Sequence, residues 1–108
     1  MDILAPQRIT LEFRFPVQLG IVVRDIIAEL DSDHEFLAQH EIEGFRSAGI
    51  SERPEDDDSM QAIKRYEFLG SHSEEKNERM MTDILDLLKN KLGFYQKDIK
   101  IHCHLSPA

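Results

Sequence analysis

The 108 residues contain no tryptophan, a single cysteine, four prolines and five glycines. With Cys103 alone, an internal disulfide is excluded, which agrees with a reducing compartment. No apolar run approaches the roughly 20 residues of a membrane span, which excludes a hydrophobic transmembrane helix. The opening Met-Asp-Ile-Leu-Ala-Pro-Gln-Arg has neither the basic start nor the apolar stretch of a signal peptide, so a cytoplasmic location is expected. Base is outnumbered by acid, 13 to 21, and a pI near 5.0 argues against direct nucleic-acid binding, which needs a basic stripe.

What the chain does have is acid concentrated in one place. From Glu29 to Asp58 there are eleven acids and two bases, Arg46 and Arg53, a local charge of −9. The other 78 residues carry ten acids and eleven bases and come to +1. Charge localised in this way makes a directional field that attracts basic proteins or cations. An apolar fraction of 41% with 31% charged residues is that of a globular chain, and the length fits one domain, residues 1–108, able to bury a core without covalent staples.

Gln7 to Phe15 alternates Ile9, Leu11, Phe13 and Phe15 with Arg8, Thr10, Glu12 and Arg14, the period of a strand with one buried face. Pro16 stops it and suits a helix start, and the spacing of Val17, Ile21, Val22, Ile26, Ile27 and Leu30 predicts a helix over 16–30. Ser32 or Asp33 caps a short further helix to Gln39, and Glu41 to Ser47 reads as a weak strand. Residues 49–59, rich in Ser, Glu, Asp and Pro, read as a flexible acidic loop. Gln61 to Leu69 reads as a strand covered in part on both faces and ended by Gly70. Ser71 or Ser73 caps a helix whose stripe is Met80, Met81, Ile84, Leu85, Leu87, Leu88 and Leu92, closed by Gly93. Asp98 to Leu105 alternates again, with Ile99, Ile101, Cys103 and Leu105 opposite Lys100, His102 and His104. Strand, helix, strand, strand, helix, strand is the order of an α+β, ferredoxin-like two-layer sandwich, an antiparallel sheet with two helices on one face.

No motif names a reaction or a cofactor, and no catalytic residue is assigned. Glu29, Asp31 and Asp33 crowd the C-terminal end of the first helix, where the dipole disfavours each by about 0.3–1 kcal/mol. A local rule broken without structural gain marks a functional position. The expected function is therefore that of a small acidic binding protein for a basic protein partner, in its most concrete form an inhibitor or immunity-type protein that blocks a nucleic-acid-processing enzyme by mimicking a phosphate backbone. Asp31, Asp33, Glu35, Glu41 and Glu43, with Glu29, form the ordered patch, and Glu55, Asp56, Asp57 and Asp58 form a steering arm. That arm lacks the glycine and the terminal glutamate of an EF-hand loop, so no calcium site is assigned.

Two alternatives belong to other classes. His102 and His104, two apart on a strand, point to one side and could share a metal ion with Glu12 from the neighbouring strand, the basis of a small metal- or histidine-dependent enzyme, although partly solvated strand histidines outweigh that reading. The third is a ligand-sensing dimeric module, since the mixed polar sheet face or an edge strand offers a homodimer surface. His104-Leu105-Ser106 resembles the HxS/T element of two-histidine phosphoesterases, but that family implies a second copy. His34 and His72 are followed by Glu35-Phe36 and Ser73-Glu74, so no catalytic role carries across. These two histidines and His40 read as incidental, and Cys103 as a buried small hydrophobe. The aromatic base-stacking platform of RNA-recognition domains is missing from the outward positions.

Overall fold

The alternating strand is the centre of the molecule. In the computed structural model, which describes residues 7–40, 42, 45–54, 60–70 and 73–106 (backbone alone at 47–54, 60 and 106), β1 runs Arg8–Pro16 with Ile9, Leu11, Phe13 and Phe15 buried. Strand β3 (Met60–Leu69) pairs antiparallel along one side of β1, and β4 (Lys100–Ser106) along the other. Strand β2 (Arg46–Pro54) completes an antiparallel sheet of order β2-β3-β1-β4. The fold is α+β.

Helix formation follows the sequence closely at its caps. Pro16 belongs to the end of β1 with φ −61° and ψ 140°, and the chain then makes a 3-10 turn (Val17–Leu19) before α1 (Gly20–Asp31). The helix predicted over 16–30 is thus shorter at its start, because a proline in the extended region continues the strand. Helix α2 (His34–Gln39) begins at Asp33, whose Oδ1 accepts the Phe36 N–H at 3.1 Å. Helix α3 (Glu74–Leu92) begins at Ser73, whose Oγ accepts the Lys76 N–H at 3.3 Å; the other candidate cap, Ser71, lies outside the described residues. Glu74 and Glu75 occupy its first turn and Lys89 and Lys91 its last, in the sense the dipole favours. Gly93 ends it at φ +52°, a conformation costly for any residue with a Cβ.

Val23, Ile26, Ile27 and Leu30 of α1 and Met80, Ile84, Leu88 and Leu92 of α3 join the inward face of β1, Tyr66 and Phe68 of β3, and Ile99 and Cys103 in one apolar cluster. Each large side chain taken fully from water there contributes about 1.5–3 kcal/mol. Phe13 and Tyr66 meet edge to face with centroids 5.9 Å apart.

Two expectations are corrected in the middle of the chain. The weak strand expected over 41–47 lies later, at Arg46–Pro54, so residues 49–54 of the expected acidic loop are strand. Their composition is a poor strand former, but β3 presents a ten-residue partner and the ladder from Arg46↔Glu67 to Pro54↔Met60 outweighs local preference. A register shift between Ser47 and Gly49 leaves an extra residue, a bulge. Pro54 is tolerated because β2 is an edge. The remainder of that loop, 55–59, lies outside the described residues.

One polar node ties the layers together. Asn77 on α3 is fully buried, and its Nδ2 donates to Gln7 Oε1 at 3.1 Å, while the Gly70 N–H donates to the Gln7 carbonyl at 2.8 Å. A Cβ at Gly70 would stand 2.5 Å from Asn77 Oδ1 and 3.0 Å from Ile9 Cδ1. Gly70→Ala is therefore expected to lower stability by roughly 1–3 kcal/mol through forced displacement of this node. A urea unfolding midpoint equal to that of the wild type would contradict the assignment.

Candidate functional site

The acidic positions are placed by α1 and α2. Residues 20–39 carry five acids, Asp25, Glu29, Asp31, Asp33 and Glu35, and one base, Arg24. Glu29, Asp31 and Glu35 are exposed and Asp33 is half-buried. Three of the acids that offend the α1 dipole have local partners. Asp33 caps α2, Asp31 Oδ1 accepts the Phe45 N–H at 3.2 Å and so holds the approach to β2, and Glu29 lies 3.5 Å from Lys91 Nζ at the end of α3. The Glu29–Lys91 pair is exposed and contributes little. Neither Asp31 nor Glu35 is in an ion pair among the described residues. Glu41, Glu43, Glu55, Asp56, Asp57 and Asp58 lie outside the described residues.

The second constellation occupies the face of the sheet away from the core. By register, Lys100, Arg14 and Ile63 form one row across β4, β1 and β3; His102, Glu12 and Arg65 form the next; His104, Thr10 and Glu67 the third. The expected alternation of β4 therefore holds. The two imidazoles have centroids 5.4 Å apart and ring planes tilted by 35°. Glu12, the third ligand expected from the sequence, stands beside His102 but is bound to Arg65 Nη2 at 3.1 Å. Among the described residues no group of three His, Cys, Asp or Glu side chains is arranged to hold a metal ion.

Two other residues complete the inventory. His40, incidental by its sequence context, is mostly buried, with Nε2 3.3 Å from Asp83 Oδ2 and its ring 4.7 Å from that of Phe36. It pins the end of α2 to α3. The i,i+4 spacing of Phe36 and His40 was the available signal; Asp83, more than 40 residues on, was not legible. Cys103 is buried as expected, and burial pushes its thiol from 9.0 up to about 12, which removes it from nucleophilic roles near neutral pH. No described helix is long and apolar enough to cross a membrane.

Neither protein-family models nor curated proteins give a match to the chain. Solved structures that resemble it include a de novo designed protein, Foldit4, at 17% identity over 94% of this chain and 98% of that one, with a TM-score of 0.47. Another is the C-terminal domain of the MgtC protein from Mycobacterium tuberculosis, at 15% identity over 99% of this chain and 95% of that one, with a TM-score of 0.44. Likeness of this degree carries no functional argument.

Two outcomes are expected from these placements. Asp33→Ala should cost about 1 kcal/mol through loss of the α2 cap, whereas Asp33→Asn, which keeps an acceptor, should cost little; equal losses in thermal unfolding would remove the capping role. For Cys103 the folded thiol holds its proton to higher pH than the unfolded one, so its contribution is fully present below about pH 9 and is lost as pH rises toward 12. The stability advantage of the wild type over Cys103→Ala should shrink across that interval, and a pH-independent difference would contradict the burial argument.

Proposed function

We propose that this chain is a small non-catalytic binding protein whose acidic surface, centred on α1 and α2, engages a basic protein partner. The observation that carries the reading is the row Glu29, Asp31, Asp33 and Glu35, four carboxylates within seven residues on consecutive helices, with Asp31 and Asp33 fixed by backbone N–H groups. Carboxylates already ordered lose little conformational entropy on binding, and their summed field raises the encounter rate with a cationic surface. Glu41, Glu43, Glu55, Asp56, Asp57 and Asp58, outside the described residues, add to the same acidic stretch of the sequence and belong to the proposed partner-binding set. An inhibitor or immunity-type protein that occupies the basic cleft of a nucleic-acid-processing enzyme is the most concrete form, because such a cleft is built to receive regularly spaced anions. The same reading assigns the chain to the ferredoxin-like arrangement, with the sheet order β2-β3-β1-β4 in its support.

The dual use of Asp31 and Asp33 allows charge to be removed without removing structure. Asparagine presents a carbonyl where aspartate presents a carboxylate, so both N–H groups keep an acceptor. A variant with Asp31→Asn, Asp33→Asn and Glu35→Gln is expected to fold as the wild type does and to lose a partner captured from the native host's lysate at low salt. Association with the purified partner should slow by roughly tenfold or more at low ionic strength and converge with the wild type at high salt. Capture and kinetics unchanged in this variant and in one with Glu55, Asp56, Asp57 and Asp58 neutralised would overturn the proposal.

A further inference from the structure

We infer that His102 and His104 are one half of a transition-metal site that is completed by a second copy of this chain pairing along the β4 edge. A tetrahedral zinc lies about 2.0–2.1 Å from each imidazole nitrogen and so about 3.2 Å from each ring centroid, which sets two such rings about 5 Å apart. The rings of His102 and His104 are 5.4 Å apart. The spacing for two ligands is present, and the chain alone does not supply the rest among its described residues, since Glu12 is bound to Arg65, Cys103 is buried in the core, and Thr10 stands across from His104. Structural zinc takes four ligands.

The sheet supplies the place for the other two. In the order β2-β3-β1-β4, strand β4 is an edge, and among the described residues one side of its backbone has no strand partner. An edge of this kind is a template for a further strand. Antiparallel pairing of two β4 strands about a two-fold axis at Cys103 sets His102 of each copy directly across from His104 of the other, with all four imidazoles on the face away from the core. Directly opposed residues in such a pair are about 4.5–5.5 Å apart, close to the spacing already present within one copy. The same register sets half-buried Ile101 against Leu105 on the core side, and moves Lys100 out to face Ser106, away from the imidazoles. Slipping the register by one residue would oppose inward positions to outward ones and lose both matches. A two-fold contact of this type closes on itself and stops at the dimer.

The purified full chain, freed of metal, provides the test. On addition of zinc ion alone, light scattering after size exclusion should show the mass double, with uptake saturating at one zinc per two chains and EDTA reversing both. Cobalt(II) in place of zinc should develop the visible bands of a tetrahedral site. His102→Ala and His104→Ala alter side chains on the open face of the sheet; each should keep the wild-type circular dichroism, stay monomeric with zinc and show no cobalt bands. Zinc bound one per chain in a monomer, no uptake at all, a dimer that persists in EDTA, or dimerisation retained by both variants would each overturn the inference.

Discussion

The alternation of β1 is the constraint on which the rest of the structure depends. Because the strand lies between β3 and β4, its period of two decides at one stroke which side of the sheet is apolar and which is polar. Ile9, Leu11, Phe13 and Phe15 give α1 and α3 a surface to cover, and Arg8, Glu12 and Arg14 on the reverse set the composition of the open face. A one-residue slip would exchange the two sets, so the register of β3 and β4 is fixed by burial. The described candidate residues of α1, α2 and β4 lie on the two sides that this division creates.

Charge is divided along the same line. The helical side carries the ordered acids of α1 and α2, whereas the open face presents Arg8, Arg14, Arg65, Lys100, His102 and His104 against Glu12 and Glu67. At the end of α1, tertiary structure resolves part of what local electrostatics disfavours. Asp33 stabilises the start of α2 while it opposes the end of α1, and Asp31 holds the chain entering β2. Their charge, as distinct from their acceptor atoms, is not required by either contact. That surplus is what a basic partner would use.

What could be read from the sequence was local. The strand of β1, the cap and stripe of α3, the glycine at 93 and the facing of β4 each follow from spacing within one element, and each is found within a residue or two of its expected place. The cap at Asp33 is of the same kind. Strand β2 departs from its expected place because its residues have little preference of their own, and its extent follows the length of β3. The same limit hid the candidate site's surroundings. That Arg65 holds Glu12, that His40 reaches Asp83, and that Gly70 is required by Asn77 are contacts between residues many positions apart, made only once register and packing are known.

The central claim is that a basic partner is engaged by charge on α1 and α2 and not by the sheet face. It is tested most directly by an amide NMR titration of labelled protein with a lysine-rich peptide at low and high salt. The account predicts shift changes concentrated between Glu29 and Glu35 that fade as salt is raised. Changes confined to β1 and β4, or changes indifferent to salt, would contradict it.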